Sequence, residues 1–244
     1  MKNTKAQIQF NWIFVVIAGA IILAFFIGFA MRYVDLQNKK LSAQIAKGIE
    51  NELDSLKTVQ LYTSVPLALN TKIDFKCDSF KVNDYFSKGI SERLIASNNL
   101  ETKELLVWTQ TWKFPYKIDN IFYLSADNVK YYLVYDSNSR EFVEGLEIPK
   151  LFDVSKIDDA DEIGDINKYK KVRVIFFGNK QELPKNSKIE DIQISIGQDD
   201  NGKIKVDDKE YYYFGLPMLY AAIFGSDYGC FFDKSLGKLE KVTQ

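Results

Sequence analysis

The chain has no histidine, and only two cysteines and five prolines among its 244 residues. Without histidine there can be no Ser-His-Asp triad, no Cys-His pair and no His-bearing zinc site, which removes much of hydrolytic chemistry. Two cysteines cannot build a four-cysteine metal centre. Neither GxxxxGK[ST] nor GxGxxG occurs, so both common glycine-rich phosphate cradles are missing. Charge of one sign is also missing: 32 Lys and Arg stand against 33 Asp and Glu, for a formal net charge of −1. A chain so balanced offers no basic excess to nucleic acid, which is not an expected partner. No Asn-x-Ser/Thr sequon is present, so that type of glycan is not expected. These gaps leave no residue to assign to catalysis, to a cofactor or to a metal, and the expectation is a protein that is not an enzyme.

One long apolar run is present. Phe10 to Met31, FNWIFVVIAGAIILAFFIGFAM, is twenty-two residues without a charge. At about 1.5 Å rise per residue, ~20 such residues cross the ~30 Å hydrocarbon core of a bilayer. They must do so as a helix, because hydrocarbon supplies no partner for open backbone groups. A cleaved secretory signal has an apolar part of only ~7–15 residues and a small-residue site close behind it. Here the run is longer, and Ser42-Ala43-Gln44 lies too far downstream. An uncleaved anchor in a lipid bilayer is the expectation, with a cleaved signal or a buried core helix as the alternatives.

Beyond the run the helix is predicted to continue. From Tyr33 to Leu61 there is no proline and one glycine, Gly48. Val34, Leu41, Ile45, Ile49, Leu53 and Leu56 fall on one stripe, with Lys39, Lys40, Lys47, Glu50, Glu52, Asp54 and Lys57 around it. Leu41, Ile45, Ile49 and Leu53 should be buried against whatever follows. The expected organisation is a short segment 1–9, a transmembrane helix 10–31, an amphipathic stalk helix 32–62 and a head 63–244.

Immediately ahead of the apolar run stands Lys5-Ala6-Gln7-Ile8: basic, small, Gln, aliphatic. Placed there, it resembles the processing site of archaeal type IV pilin-like precursors, whose class III signal is cut just before the apolar helix. The resemblance covers the first ~60 residues and implies cleavage between Ala6 and Gln7 by a prepilin-type peptidase. Many pilins carry Glu at the fifth mature position; this chain has Asn11. The plain alternative is that Lys2 and Lys5 flank a membrane helix as interfacial basic residues. The same resemblance implies a long first helix whose second half packs on a globular head, and self-association through the membrane helix. Gly19, Ala20, Ala24, Gly28 and Ala30 are small residues that would let helices approach closely there.

Cys77 and Cys230 both lie outside the apolar run and far apart. In an exported domain a lone pair reads as one disulfide joining the two ends of the fold, worth ~3–5 kcal/mol in the chain-entropy model. The alternative is two free thiols in a cytoplasmic domain. Flanking charge does not choose, since Lys2 and Lys5 face Arg32, Lys39 and Lys40 across the run. The cysteine pair and the short N-terminus favour a head outside the cytoplasm.

In the head, Thr63 to Asn70 reads as a linker and Ile73 to Cys77 as a strand. Asp84 to Ala96 reads as a helix capped by Asn83 or Asp84, with Tyr85, Ile90, Leu94 and Ile95 forming its apolar face. Leu105–Trp112, Ile121–Leu124, Val129–Tyr135, Ile192–Ile196, Ile204–Val206 and Tyr211–Phe214 read as strands, and Val172–Phe177 as the most central one. Ser139–Glu147 and Cys230–Gln244 have helical character. Leu216 to Phe224 is a core helix or, alternatively, a subunit-contact or membrane-facing patch. The acidic stretch Asp158–Asp165 fails as an EF-hand, because Ile163 and Lys170 occupy ligand positions, and reads as a solvated loop. Asp199-Asp200-Asn201-Gly202 reads as a hairpin turn. Strands and helices mix without a regular βαβ rhythm, so the fold class is α+β with a mixed-sheet head. The expected function is a single-span, pilin-like structural or assembly component of the envelope. The alternative is a membrane-tethered extracytoplasmic ligand-binding module or enzyme.

Overall fold

The computed structural model describes residues 4–58, 61–184, 186–198 and 200–243, with backbone alone for 4–11, 58 and 243. One helix, α1 (Thr4–Ser55), runs for 52 residues, about 78 Å at helical rise, and carries both the apolar run and most of the stalk. Large apolar side chains from Trp12 to Leu36 are exposed, whereas Ile45, Ala46, Ile49, Leu53 and Leu56 are buried against the head and Leu41 is half-buried. Each fully buried aliphatic on that stripe contributes roughly 1.5–3 kcal/mol. Two ion pairs flank it, Lys88 with Glu50 at 2.9 Å and Arg93 with Asp54 at 2.8 Å.

The head holds two six-stranded sheets. The first comprises β1 (Tyr62–Phe75), β2 (Ser79–Val82), β3 (Phe86–Gly89), β4 (Leu94–Ser97), β5 (Leu100–Lys113) and β6 (Lys117–Ala126), in the order β3-β2-β1-β5-β6-β4. Its neighbours are antiparallel except β4 and β6. At Asp127-Asn128 the chain crosses to the second sheet. This holds β7 (Val129–Tyr135), β8 (Asp153–Ile157), β9 (Lys171–Phe177), β10 (Ile189–Ile196), β11 (Asn201–Val206) and β12 (Lys209–Phe214), in the order β12-β11-β10-β9-β7-β8. Here β8, β7, β9 and β10 are mutually parallel, and β11 and β12 close the sheet antiparallel. A short helix, α2 (Arg140–Gly145), follows β7.

Between the sheets lies α3 (Leu216–Phe224), with every residue from Met218 to Phe224 buried. The segment is therefore a core helix, and the subunit-contact alternative falls. It starts at Gly215, whose φ of +81° few other residues adopt, with Pro217 in the first turn. Around it Trp108, Tyr123, Tyr131, Phe152, Tyr220 and Phe224 form one aromatic cluster, with ring centroids 4.8–6.1 Å apart along its closest pairs. Helix α4 (Tyr228–Thr243) covers one end of the core through Tyr228, Phe231 and Ser235. Asp227 caps it by accepting from the Cys230 N–H at 3.0 Å.

Two local expectations are corrected. Residues 83–96 are not a helix. Asn83 and Asp84 adopt φ of +49° and +61°, closing a β2–β3 hairpin, and β4 follows. The apolar residues expected on a helix face are recruited by the sheet: Ile90 and Leu94 are buried in the common core. Residues 63–70 are not a linker but the first half of β1, where Thr63 to Pro66 pair with β5. Pro66 is tolerated because the register breaks between Pro66 and Thr71. The strand Val172–Phe177 is interior as expected, but in the second of two sheets.

Candidate functional site

The expected processing residues Ala6 and Gln7 fall within the backbone of α1, and their side chains, with that of Asn11, lie outside the described residues. From Trp12 onward α1 is long and apolar enough to cross a membrane, and its apolar window has none of its surface buried by the head. Gly19 and Gly28 have nothing within 4 Å of where a Cβ would stand. Exposure ends at the stalk, where Asn38 donates to the Tyr85 hydroxyl at 3.3 Å and the packed face begins. Just past its end, in a 3-10 turn (Leu56–Thr58), the Lys57 carbonyl accepts from Asn120. The helix and the turn that follows it are thus fastened to the head from Asn38 to Lys57.

Cys77, just past β1, and Cys230, in the first turn of α4, form the expected disulfide with Cα atoms 5.6 Å apart, across a sequence separation of 153. Both residues are half-buried. Lys234, one turn along α4, donates to the Cys77 carbonyl at 3.0 Å and the Ile90 carbonyl at 3.2 Å. Desolvation pulls the pKa of Lys234 below the usual lysine range, against the opposing attraction of Asp78. Lys238 adds a bond to the Glu92 carbonyl at 2.8 Å and an ion pair with Asp119 at 2.9 Å. The C-terminal helix is clamped to the first sheet by one covalent and several charged contacts.

Open parallel sheets bind ligands beyond the carboxyl ends of their strands, where the strand order reverses. In this head that place lies beyond β7 and β9, and its own side chains occupy it. Asp136 accepts from the Asn138 N–H at 3.0 Å and the Ser139 N–H at 2.9 Å, and the Ser139 hydroxyl lies 2.7 Å from its carboxylate. These bonds, that of the Ser139 hydroxyl first, hold the Asp136 carboxyl below the usual carboxylate range. Gly178 has φ +116°, and a Cβ there would sit 2.3 Å from Asp136 Oδ2. Sequence reading missed this parallel arrangement, because the crossovers carry a six-residue helix and two single turns instead of long helices.

The acidic loop behaves as a chain of local caps. Asp159 accepts from the Asp161 N–H and Asp165 from the Asn167 N–H, both at 2.9 Å, while Asp158 pairs with Arg140 at 3.0 Å. No group of three or more His, Cys, Asp or Glu able to hold a metal occurs among the described residues. In the 199–202 turn Asp199 lies outside the described residues, and Asp200 takes φ +57°. Several surface hollows are present, among them two at the second sheet. One of about 480 Å³ runs between the sheets beside Lys72, Lys170, Lys171 and Lys188. Three of these lysines pair with carboxylates: Lys72 with Asp74, Lys170 with Glu101 and Lys171 with Glu190. The other, of about 340 Å³, is an apolar groove walled by Ile196, Tyr212 and Phe214.

Compared with known protein families, curated proteins and solved structures, the chain matches none.

Proposed function

We propose that the chain is a single-span membrane protein of the cell envelope, pilin-like in outline. Its helix anchors it and brings copies together, and its α+β head stands outside the cytoplasm. The observation that carries this reading is α1 itself: one uninterrupted helix of 52 residues, apolar and unburied in its first half and packed on the head in its second. A helix that only tethered a domain would need neither this continuity nor fastening along five turns. The half-exposed Cys77–Cys230 disulfide supports an oxidising compartment for the head. The carboxylates described above are taken up by caps and ion pairs, which supports a structural role over a catalytic one.

The test is the N-terminus of the protein isolated from its native membrane. A mature chain beginning at Gln7 is expected, cut by a prepilin-type peptidase. A chain that still begins at Met1, or is cut after residue 31, sinks the pilin-like part of the reading. Extraction in alkaline carbonate, which strips peripheral proteins, should leave the protein in the membrane pellet.

A further inference from the structure

The continuity of α1 fixes which part of the head comes nearest the bilayer. The apolar run ends at Met31, and Asn38 lies seven residues further along an unbroken helix, about 10 Å of rise. Asn38 is bonded to Tyr85, in the turn between β2 and β3. The headgroup region adds roughly 5–8 Å on each side of the hydrocarbon core, and a helix leaning toward the turn would bring it closer still. Tyr85 is 42% exposed, and tyrosine is the residue type favoured at this depth.

The charges around the turn have a sign. Arg32, Lys39 and Lys40 leave the bilayer on α1, and Lys72 and Lys81 stand beside Asp84 next to Tyr85. Against these five cations are three carboxylates, Asp35, Asp74 and Asp84, so the turn and neck are net positive in a chain whose total is −1. The ion pairs among them, 2.7 Å for Lys39–Asp35 and 3.1–3.2 Å for those of Lys72 and Lys81, are largely solvent-exposed. Such pairs are worth ~0–1 kcal/mol each and are readily exchanged for another anion. Long lysine stems can lower their ammonium groups several ångströms toward the surface.

We propose that this neck and the β2–β3 turn form a docking surface for the phosphates of anionic lipid headgroups, so that the head rests on the membrane instead of swinging freely above it. The proposal rests on the anchor reading above. Whichever way the helix inserts, this turn faces the leaflet on the head's own side.

The test uses the full chain reconstituted into vesicles of phosphatidylcholine alone or mixed equally with phosphatidylglycerol, with amide hydrogen exchange followed by mass spectrometry. In the anionic vesicles, exchange across residues 79–89 should slow by about fivefold, the scale of one basic residue at an anionic surface. The slowing should vanish at about 0.5 M salt, where screening is short-ranged, and in the Lys40→Gln/Lys81→Gln double variant. Exchange of β9 serves as the control that the variant is folded. Equal exchange in both vesicle types, or slowing indifferent to salt and to the variant, would overturn the proposal while leaving the anchor intact. A chain that fails to float with vesicles of either composition would overturn the anchor reading, and this proposal with it.

Discussion

Arg173 shows how a single buried side chain can hold two layers together. It projects from β9, the interior strand of the second sheet, and is 2% exposed. Its guanidinium donates to the carbonyls of Ile223 at 2.9 Å, Ala222 at 3.0 Å and Gly225 at 2.5 Å, the open C-terminal carbonyls of α3. A cation at that end also complements the helix dipole. Burial pulls its pKa below the usual arginine range, and Glu190, 3.2 Å away, opposes the shift. Arg173→Met keeps most of the volume but leaves three carbonyls without their donor. We expect a loss of about 2–4 kcal/mol in denaturant titrations of the full chain in detergent. Glu190→Gln should cost less than about 1 kcal/mol, because Glu190 is partly solvated and shared with Lys171. Cys77→Ser belongs to the same scale. It opens a closure across 153 residues and should lower the melting temperature by the equivalent of about 3–5 kcal/mol. Ser79→Ala, two residues away, should leave the melting temperature unchanged.

Among the elements, α1 divides into two halves that substitutions can address separately. Leu53 is fully buried against the head, so Leu53→Ala should destabilise the stalk–head contact by about 2–4 kcal/mol, read as a lower denaturation midpoint, with membrane retention unchanged. Gly28→Leu should do the converse. A side chain there meets nothing in the chain itself. Head stability should therefore stay as it is, while cross-linking between copies in the bilayer falls if the small residues of the span face one another. Cross-linking that is unchanged would remove the span from the assembly interface. The helix was legible in the sequence because its signals are local: an uncharged run, then a stripe at helical spacing without proline. The strands β5, β7 and β9 were legible for the same reason, as apolar runs rich in β-branched and aromatic residues. Residues 83–96 were not, because Ile90 and Leu94 suit either a helix face or a sheet. What decided was the left-handed turn at Asn83-Asp84 and the partners offered by β2 and β6. Nor was the division into two sheets legible, since strand order is a property of pairings between distant segments. Of the candidate site residues, the Cys77–Cys230 pairing was legible because two cysteines allow only one intramolecular bridge.

Across the whole molecule the absence of histidine removes the side chain that ordinarily titrates in the neutral range, so stability should be nearly flat there and fail at the extremes. At the alkaline end the cause is buried tyrosine. Desolvation pushes the hydroxyls of Tyr131, Tyr213 and Tyr220 up to about 12, and those of Tyr123 and Tyr228 well above the usual value of 10.0. Between pH 10 and these raised values the unfolded chain has released protons that the folded chain keeps. Fewer protons bound in the unfolded state means that stability falls as pH rises through this window. At the acid end the sign is reversed. Hydrogen bonds from Lys57 and Arg93 lower Asp54, and those from Lys72 and Lys81 lower Asp84. The folded chain then binds fewer protons than the unfolded one, so the stability these groups contribute is present above their usual value of 3.8 and is lost as pH falls through the lowered ones. Because Asp54 joins α1 to the head through Arg93, the stalk contact is among those that acid should weaken. In a spectrophotometric titration at 295 nm we therefore expect a late, steep tyrosinate step from the five buried tyrosines that coincides with loss of the far-ultraviolet dichroism. A single smooth step with the fold intact would mean that the five buried hydroxyls are reached by water, and that the layer between the two sheets is open.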